Sequence, residues 1–207
     1  MTQEQLQDFI EAHKKWRENK KRSKLDERPE LPDKNLRGLN LSGAFLESVD
    51  MSSADLRDTD WSGAEMSWAK LPHADLRGAN LSRTAYIRTN CRWAGFRGAN
   101  LEGANLSGAM LIGANFSFAN LRNANMFGIN AEDAIMDHAD ISGADLRGAQ
   151  FRSVDFGNAG VIADVNTITD EKTIAYGLDR ESKHERDINC PVCGRLYYID
   201  RIRTSND

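Results

Sequence analysis

The chain has 207 residues and a formal net charge of −4, which leaves room for one domain of ordinary size with short appendages and too little charge for self-repulsion to dominate. Leu, Ile, Val and Phe make up only 43 of the 207 residues, near the composition at which polar chains stay disordered, so a thick core is excluded. No run of 18 apolar residues exists, the polar start MTQEQLQDFIEAHKKW lacks a signal-peptide core, and three cysteines do not make a secreted disulfide framework; the expectation is a cytoplasmic chain with no membrane partner.

Residues 1–33 are predicted to form a capping helix and a linker. Thr2 and Gln5 stand in capping-box spacing, and Leu6, Phe9, Ile10, His13 and Trp16 make one apolar stripe over a helix at 2–24. Its far side carries Lys14, Lys15, Arg17, Lys20, Lys21 and Arg22, the solvated back of a cap or an anion-binding face. Pro29 and Pro32 mark the linker.

Between 34 and 161 a period of five never slips. The central residue, at 36, 41, 46 and onward to 161, is large and apolar in all but Ala131, and Ala stands two residues before it in 18 of 26 repeats. Eleven of the 16 glycines fall two residues after it. A period of five walks around every face of an α-helix, and an odd repeat cannot keep its centre on one face of a straight strand. The chain must therefore turn a corner every five residues, with Gly, Asn, Asp and Ser supplying the turns. Cys91, at a centre, is expected as a buried thiol.

The segments ADLRGANL at 74–81, GANLEGANLSGA at 98–109 and GADLRGA at 143–149 resemble the pentapeptide-repeat proteins. That resemblance implies an all-β solenoid, a right-handed quadrilateral β-helix with 20 residues per coil and about 6.5 coils here, no catalytic residues belonging to the fold, and end-to-end homodimers.

Sorting outward residues modulo 20 gives four faces. One, centred on Leu41, Trp61, Leu81 and Leu101, keeps Asn or Asp before its centre and is structural background. A second stacks Arg37, Arg57, Arg77 and Arg97 beside Asn35, Asp55 and Asp75, either a neutralised lattice or an anion or nucleic-acid contact. The remaining two carry large outward apolar residues: Phe45, Trp68, Ile87 and Phe127 on one, Trp93, Met110 and Ile112 on the other, with His73, Lys70, Arg88 and Arg92 among them. Such clusters mark protein-binding surface; the bland alternative is that they shield corners of an irregular coil or meet a cap or a second protomer.

In the extension at 162–207, Cys190-Pro-Val-Cys193-Gly looks like half of a zinc-ribbon knuckle, with either His184 as a third ligand or a second chain's Cys pair making a zinc-bridged dimer. A structural zinc, a metal-free hairpin and redox chemistry are all open to it. The four histidines are dispersed and no phosphate loop or isolated carboxylate pair is present, so the expected function is a non-enzymatic protein-binding scaffold. Two alternatives follow. Resemblance to the quinolone-resistance members implies a DNA mimic acting on a type II topoisomerase such as gyrase, although 34–161 carries a net charge of only −2. The basic helix with the arginine column would instead bind nucleic acid.

Overall fold

The computed structural model describes residues 1–18 and 30–155 and the backbone of 174–176. Every isolated bridge is parallel and joins residue i to i+20, as in the ladder Asn35, Asp55, Asp75, Gly95, Asn115, Ile135, Asp155, and three further ladders run through Asn40, Phe45 and Asp50. Four repeats therefore close one coil of a quadrilateral β-helix. The six steps from 35 to 155 make a rod of roughly 29 Å at ~4.8 Å per step.

The five-residue repeat uses all of its backbone N–H groups. In the repeat around Leu101, the Leu101 N–H bonds Asn120 O at 2.7 Å, Gly103 N–H bonds Arg122 O at 2.9 Å and Asn105 N–H bonds Thr84 O at 2.9 Å. The Ala104 N–H closes the turn onto Leu101 O at 3.0 Å. Only the N–H of residue 102 points away from the ladder, and the side chain of Asn100 accepts it at 3.2 Å, an Asx turn. The same side-chain bond recurs at Asn40, Asp60, Asn80, Asn105, Asn115, Asn120 and Asp140. The Asn and Asp residues are thus structural: they satisfy the one donor the coil cannot. A second bond set runs along the rod on the background face, where Asn80, Asn100 and Asn120 each donate Nδ2 to the residue one coil below, at 3.0, 3.4 and 3.0 Å.

Each corner is a β-turn, and every fifth residue from Asp33 to Ser153 has φ between 51° and 72°. Positive φ at the third turn position is the type II requirement, which explains the glycines there. Fourteen of these positions hold other residues, among them Trp68, His73, Trp93, Phe118 and His138.

The interior is a column of centre residues lined by alanines, with Phe96 and Phe116 stacked at 4.7 Å. Where the centre is bulky or polar, the alanine site carries threonine: Thr59 accepts from Trp61 Nε1 at 2.7 Å, and Thr89 lies 3.6 Å from Cys91 Sγ. Cys91 is fully buried, and burial pushes its thiol up to about 12. Ile129 and Ala131 are both buried, so their exchanged sizes fill the same layer.

The helix α1, Gln3–Glu18, lies against the first coil. Its capping box is formed, with Thr2 N–H to Gln5 Oε1 at 2.9 Å and Gln5 N–H to Thr2 Oγ1 at 3.2 Å. Leu6 and His13 are buried, and Phe9 and Ile10 pack on the core. The predicted continuation to residue 24 lies outside the described residues. The coil itself starts earlier than Leu36: Leu31 is buried and bonds Asp50 O at 2.8 Å, which takes Pro32 out of the linker and into a corner. At the other end β1, Gln150–Arg152, pairs in parallel with β2, Ile174–Tyr176, at an offset of 24 instead of 20.

Candidate interaction surface

A corner belongs to both walls that meet there. The turn closed by Ala69 N–H to Met66 O holds Ser67 and Trp68, and the turn closed by Ala74 N–H to Leu71 O holds Pro72 and His73. Between those two edges runs the ladder Asp50, Lys70, Asn90, Met110, Asn130. One wall therefore carries Trp68, Ile87, Arg88 and Phe127 on one edge, Lys70 and Met110 along its middle, and His73, Arg92, Trp93 and Ile112 on the other. The two faces separated by sorting the sequence are one surface, because the corner residues follow their own repeat's centre in sequence but border the next wall in space. Phe45 sits apart, mid-way along the neighbouring wall and beside a cleft of about 360 Å³ between α1 and the first coil, lined by Gln3, Ile10 and Lys14.

The large residues on this wall are open to solvent. Trp68 is 51% exposed and Trp93 54%, and Phe127 is also exposed, while Ile87, Met110 and Ile112 are half-buried. Trp68 and Trp93 hold φ of 64° and 58°, in the region that favours glycine and costs other residues about 1–2 kcal/mol. Each ring has a neighbour one coil away. The Arg88 guanidinium lies over Trp68 at 5.0 Å from its centroid, and the Trp93 ring covers Gly113 so closely that a Cβ there would come within 2.1 Å of it. Phe127 has Arg147 at 6.0 Å.

Asp50, Asn90 and Asn130 keep the Asx cap along this wall, but other rungs of it and of the neighbouring wall drop it. Lys70 precedes Pro72, which has no N–H to satisfy, and Ala85 and Met110 replace the acceptor ahead of Ile87 and Ile112. Local turn stability is given up at Ile87 and Ile112, whereas the turns of Trp68, Trp93 and Phe127 keep caps from Glu65, Asn90 and Asn125.

On the adjacent corner the arginine column divides. Arg57 and Arg77 bind the Asp two residues before them at 2.7 and 2.6 Å, and Arg37 reaches Asp58 at 3.0 Å. The Arg57 hydrogen bonds hold the Asp55 carboxyl below the usual carboxylate range. Arg97 has Gly95 where its neighbours have Asp, and its guanidinium lies 4.6 Å over Phe118, which stacks on His138 at 4.7 Å. In α1, Lys14 and Lys15 are exposed and Arg17 pairs with Glu47 at 2.8 Å. Lys20, Lys21, Arg22, His184, Cys190 and Cys193 lie outside the described residues. Among the described residues no helix is long and apolar enough to cross a membrane, and no group of three His, Cys, Asp or Glu side chains could hold a metal ion.

The family model "Pentapeptide repeats" matches in eight copies over 35–60, 50–84, 89–128 and 124–159. Among solved structures, the chain is similar to HetL, a pentapeptide repeat protein involved in heterocyst differentiation regulation in the cyanobacterium Nostoc, at 26% identity over 68% of this chain and 78% of that one, TM-score 0.40. It is similar to QnrB1, a plasmid-mediated fluoroquinolone resistance protein, at 16% identity over 69% and 84%, TM-score 0.44. A pentapeptide repeat protein from the Arabidopsis thaliana thylakoid lumen matches at 33% identity over 51% and 70%, TM-score 0.35. No curated protein matches the chain.

Proposed function

The chain belongs to the pentapeptide-repeat family, and from that premise we propose that it is a non-enzymatic scaffold that binds a protein partner on the wall between Trp68 and Trp93. The observation that carries this reading is the pair of half-exposed tryptophans held at positive φ, at turn positions where eleven other repeats use glycine. Backbone strain of this kind persists where the side chain is needed, and tryptophan is the residue most enriched at the energetic centre of interfaces. A cytoplasmic setting is part of the proposal.

The experiment is affinity capture from lysate of the native cell with wild type and a Trp68→Gly/Trp93→Gly variant. Glycine suits both turns, so the variant is expected to keep its circular dichroism spectrum and melt no lower than wild type while losing partner capture. Capture that survives both substitutions removes the wall as the binding surface.

A DNA-mimicking role is not favoured by the charge layout. Residues 34–75 carry seven acids and four bases, and 132–155 six acids and two bases, but 76–131 between them carry six arginines and one acid, Glu102. A rod with a basic middle does not reproduce the even negative charge of a duplex.

A further inference from the structure

The basic middle has a particular layout. Arg83, Arg88, Arg92 and Arg97 stand one at each corner of a single coil, at the turns closed by Thr84, Thr89, Ala94 and Ala99. No acid occurs between 76 and 101, and among the described residues none of these four arginines forms an ion pair, whereas Arg37, Arg57, Arg77, Arg122 and Arg147 all do. For Arg92 and Arg97 the difference lies in the repeat itself. Where the residue two before the arginine is Asp, as in Asp55-Leu-Arg57, Asp75-Leu-Arg77 and Asp145-Leu-Arg147, the carboxylate that caps the turn also takes the guanidinium through two hydrogen bonds. Asn90-Cys-Arg92 and Gly95-Phe-Arg97 lack that carboxylate.

From this we infer that the partner segment seated on the tryptophan wall is a carboxylate-rich one that continues around the next corner, its Asp or Glu side chains meeting Arg88 and Arg92 on the two edges of the wall and Arg97 at the corner beyond, where Arg92 and Arg97 lack a repeat acid, while its apolar side chains meet Trp68 and Trp93. The inference rests on the protein-binding reading above and gives that partner its chemistry. Three observations select carboxylates on a short segment over a nucleic-acid strand. Arg88 over Trp68 and Arg97 over Phe118 already occupy aromatic faces that a base would stack on, and Trp93 spends one face on Gly113. A guanidinium lying on a ring keeps its N–H edge free for a bidentate carboxylate. Finally, the basic band is short: the wall is bounded below by the Asp50–Lys70 pair and above by Glu132 and Asp133, so a phosphodiester track running along the rod would leave the band after roughly three steps of ~4.8 Å and enter acidic surface.

The test uses full-length protein and three labelled probes: a short synthetic peptide of alternating Glu and Phe or Leu, the same peptide with Gln for Glu, and a single-stranded oligothymidine. Binding is read by anisotropy and by tryptophan fluorescence. The key variant is Asn90→Asp/Gly95→Asp, which restores the missing acids. Asp at 90 keeps the Asx acceptor, and a Cβ at 95 meets nothing closer than 3.6 Å at a φ outside the left-handed region, so folding is preserved. The control is Lys14→Gln/Lys34→Gln, with the same change in net charge outside the band. The Glu peptide is expected to bind wild type more tightly than the Gln peptide, to weaken with salt, and to lose at least about tenfold in affinity in the Asp variant but not in the control. Equal binding of the two peptides, undiminished binding by the Asp variant, or preferential binding of oligothymidine overturns the inference. If the peptides fail while lysate capture still depends on Trp68 and Trp93, only the partner chemistry falls; if capture is indifferent to the tryptophans, the wall itself is wrong.

Discussion

Tyr86 puts a phenol in a column lined mainly by Leu, Phe, Met and Ala side chains. It is fully buried, and its hydroxyl has no hydrogen-bond partner, while burial, with the neighbouring Cys91 adding to it, pushes its ionisation well above the ordinary tyrosine range. The threonines at neighbouring interior sites are engaged elsewhere: Thr89 donates to the Tyr86 carbonyl at 2.8 Å and Thr84 to the Trp61 carbonyl at 2.8 Å. An unmet buried hydroxyl costs about 1–3 kcal/mol of desolvation, so Tyr86→Phe, which removes only the oxygen, is expected to raise the urea midpoint by an amount equivalent to about 1 kcal/mol. A lower midpoint would mean that the hydroxyl is satisfied. The period of five identifies Tyr86 and Cys91 as inward residues without any coordinates. That no acceptor faces the phenol is a property of the adjacent coils, and no spacing in the sequence reports it.

The helix α1 is held by a few identifiable contacts. Leu6 inserts into the core, Gln3 clamps the Asn40 backbone by donating to its carbonyl at 2.8 Å and accepting its N–H at 2.9 Å, and the N-terminal ammonium reaches Asn35 O at 3.2 Å. Asn35 and Asn40 belong to the lowest level of their ladders, so the clamp engages backbone groups of the first coil. A Leu6→Ala substitution removes the buried anchor at a cost of about 2–5 kcal/mol, more than the clamp and the Arg17–Glu47 pair supply. The expected result is a loss of the helical signal at 222 nm and of protection against trypsin at Lys14 and Lys15, with the β-helix still folding cooperatively. Unchanged protection would show that α1 is held by other contacts. The capping box and the apolar stripe are legible in the sequence because both are local. The Gln3 clamp is not, because a glutamine mates with a backbone 37 residues away only once the first coil exists. The same logic explains the arginines. Asp-x-Arg and Asn-x-Arg read as interchangeable turns until the coil shows that the first neutralises its own guanidinium.

At the scale of the whole rod, the number twenty matters more than the number five. The five-residue period fixes which residues face inward, and it alone would allow any number of walls. The Asn ladder, the Phe118–His138 stack, the Arg88–Trp68 contact and the Trp93–Gly113 contact all require partners exactly one coil apart, at i and i+20. Deleting residues 114–133 joins Gly113 to Ala134, corner to following wall, and leaves each later residue above its proper column. A solenoid's stability is close to a sum over repeats and their interfaces, so this variant is expected to fold, with a denaturant m-value lower by roughly a sixth. Deleting only 114–118 keeps every inward position but rotates the later walls by one corner, so that Asn120 no longer lies above Asn100 and Asn130 no longer above Met110. Although it removes a quarter as many residues, the five-residue deletion is expected to cost more stability per residue removed, measured by urea unfolding of both variants beside wild type. If the two deletions cost the same per residue, the columns on the outside of the rod contribute nothing to its register, and the inward Leu and Ala alone specify the fold.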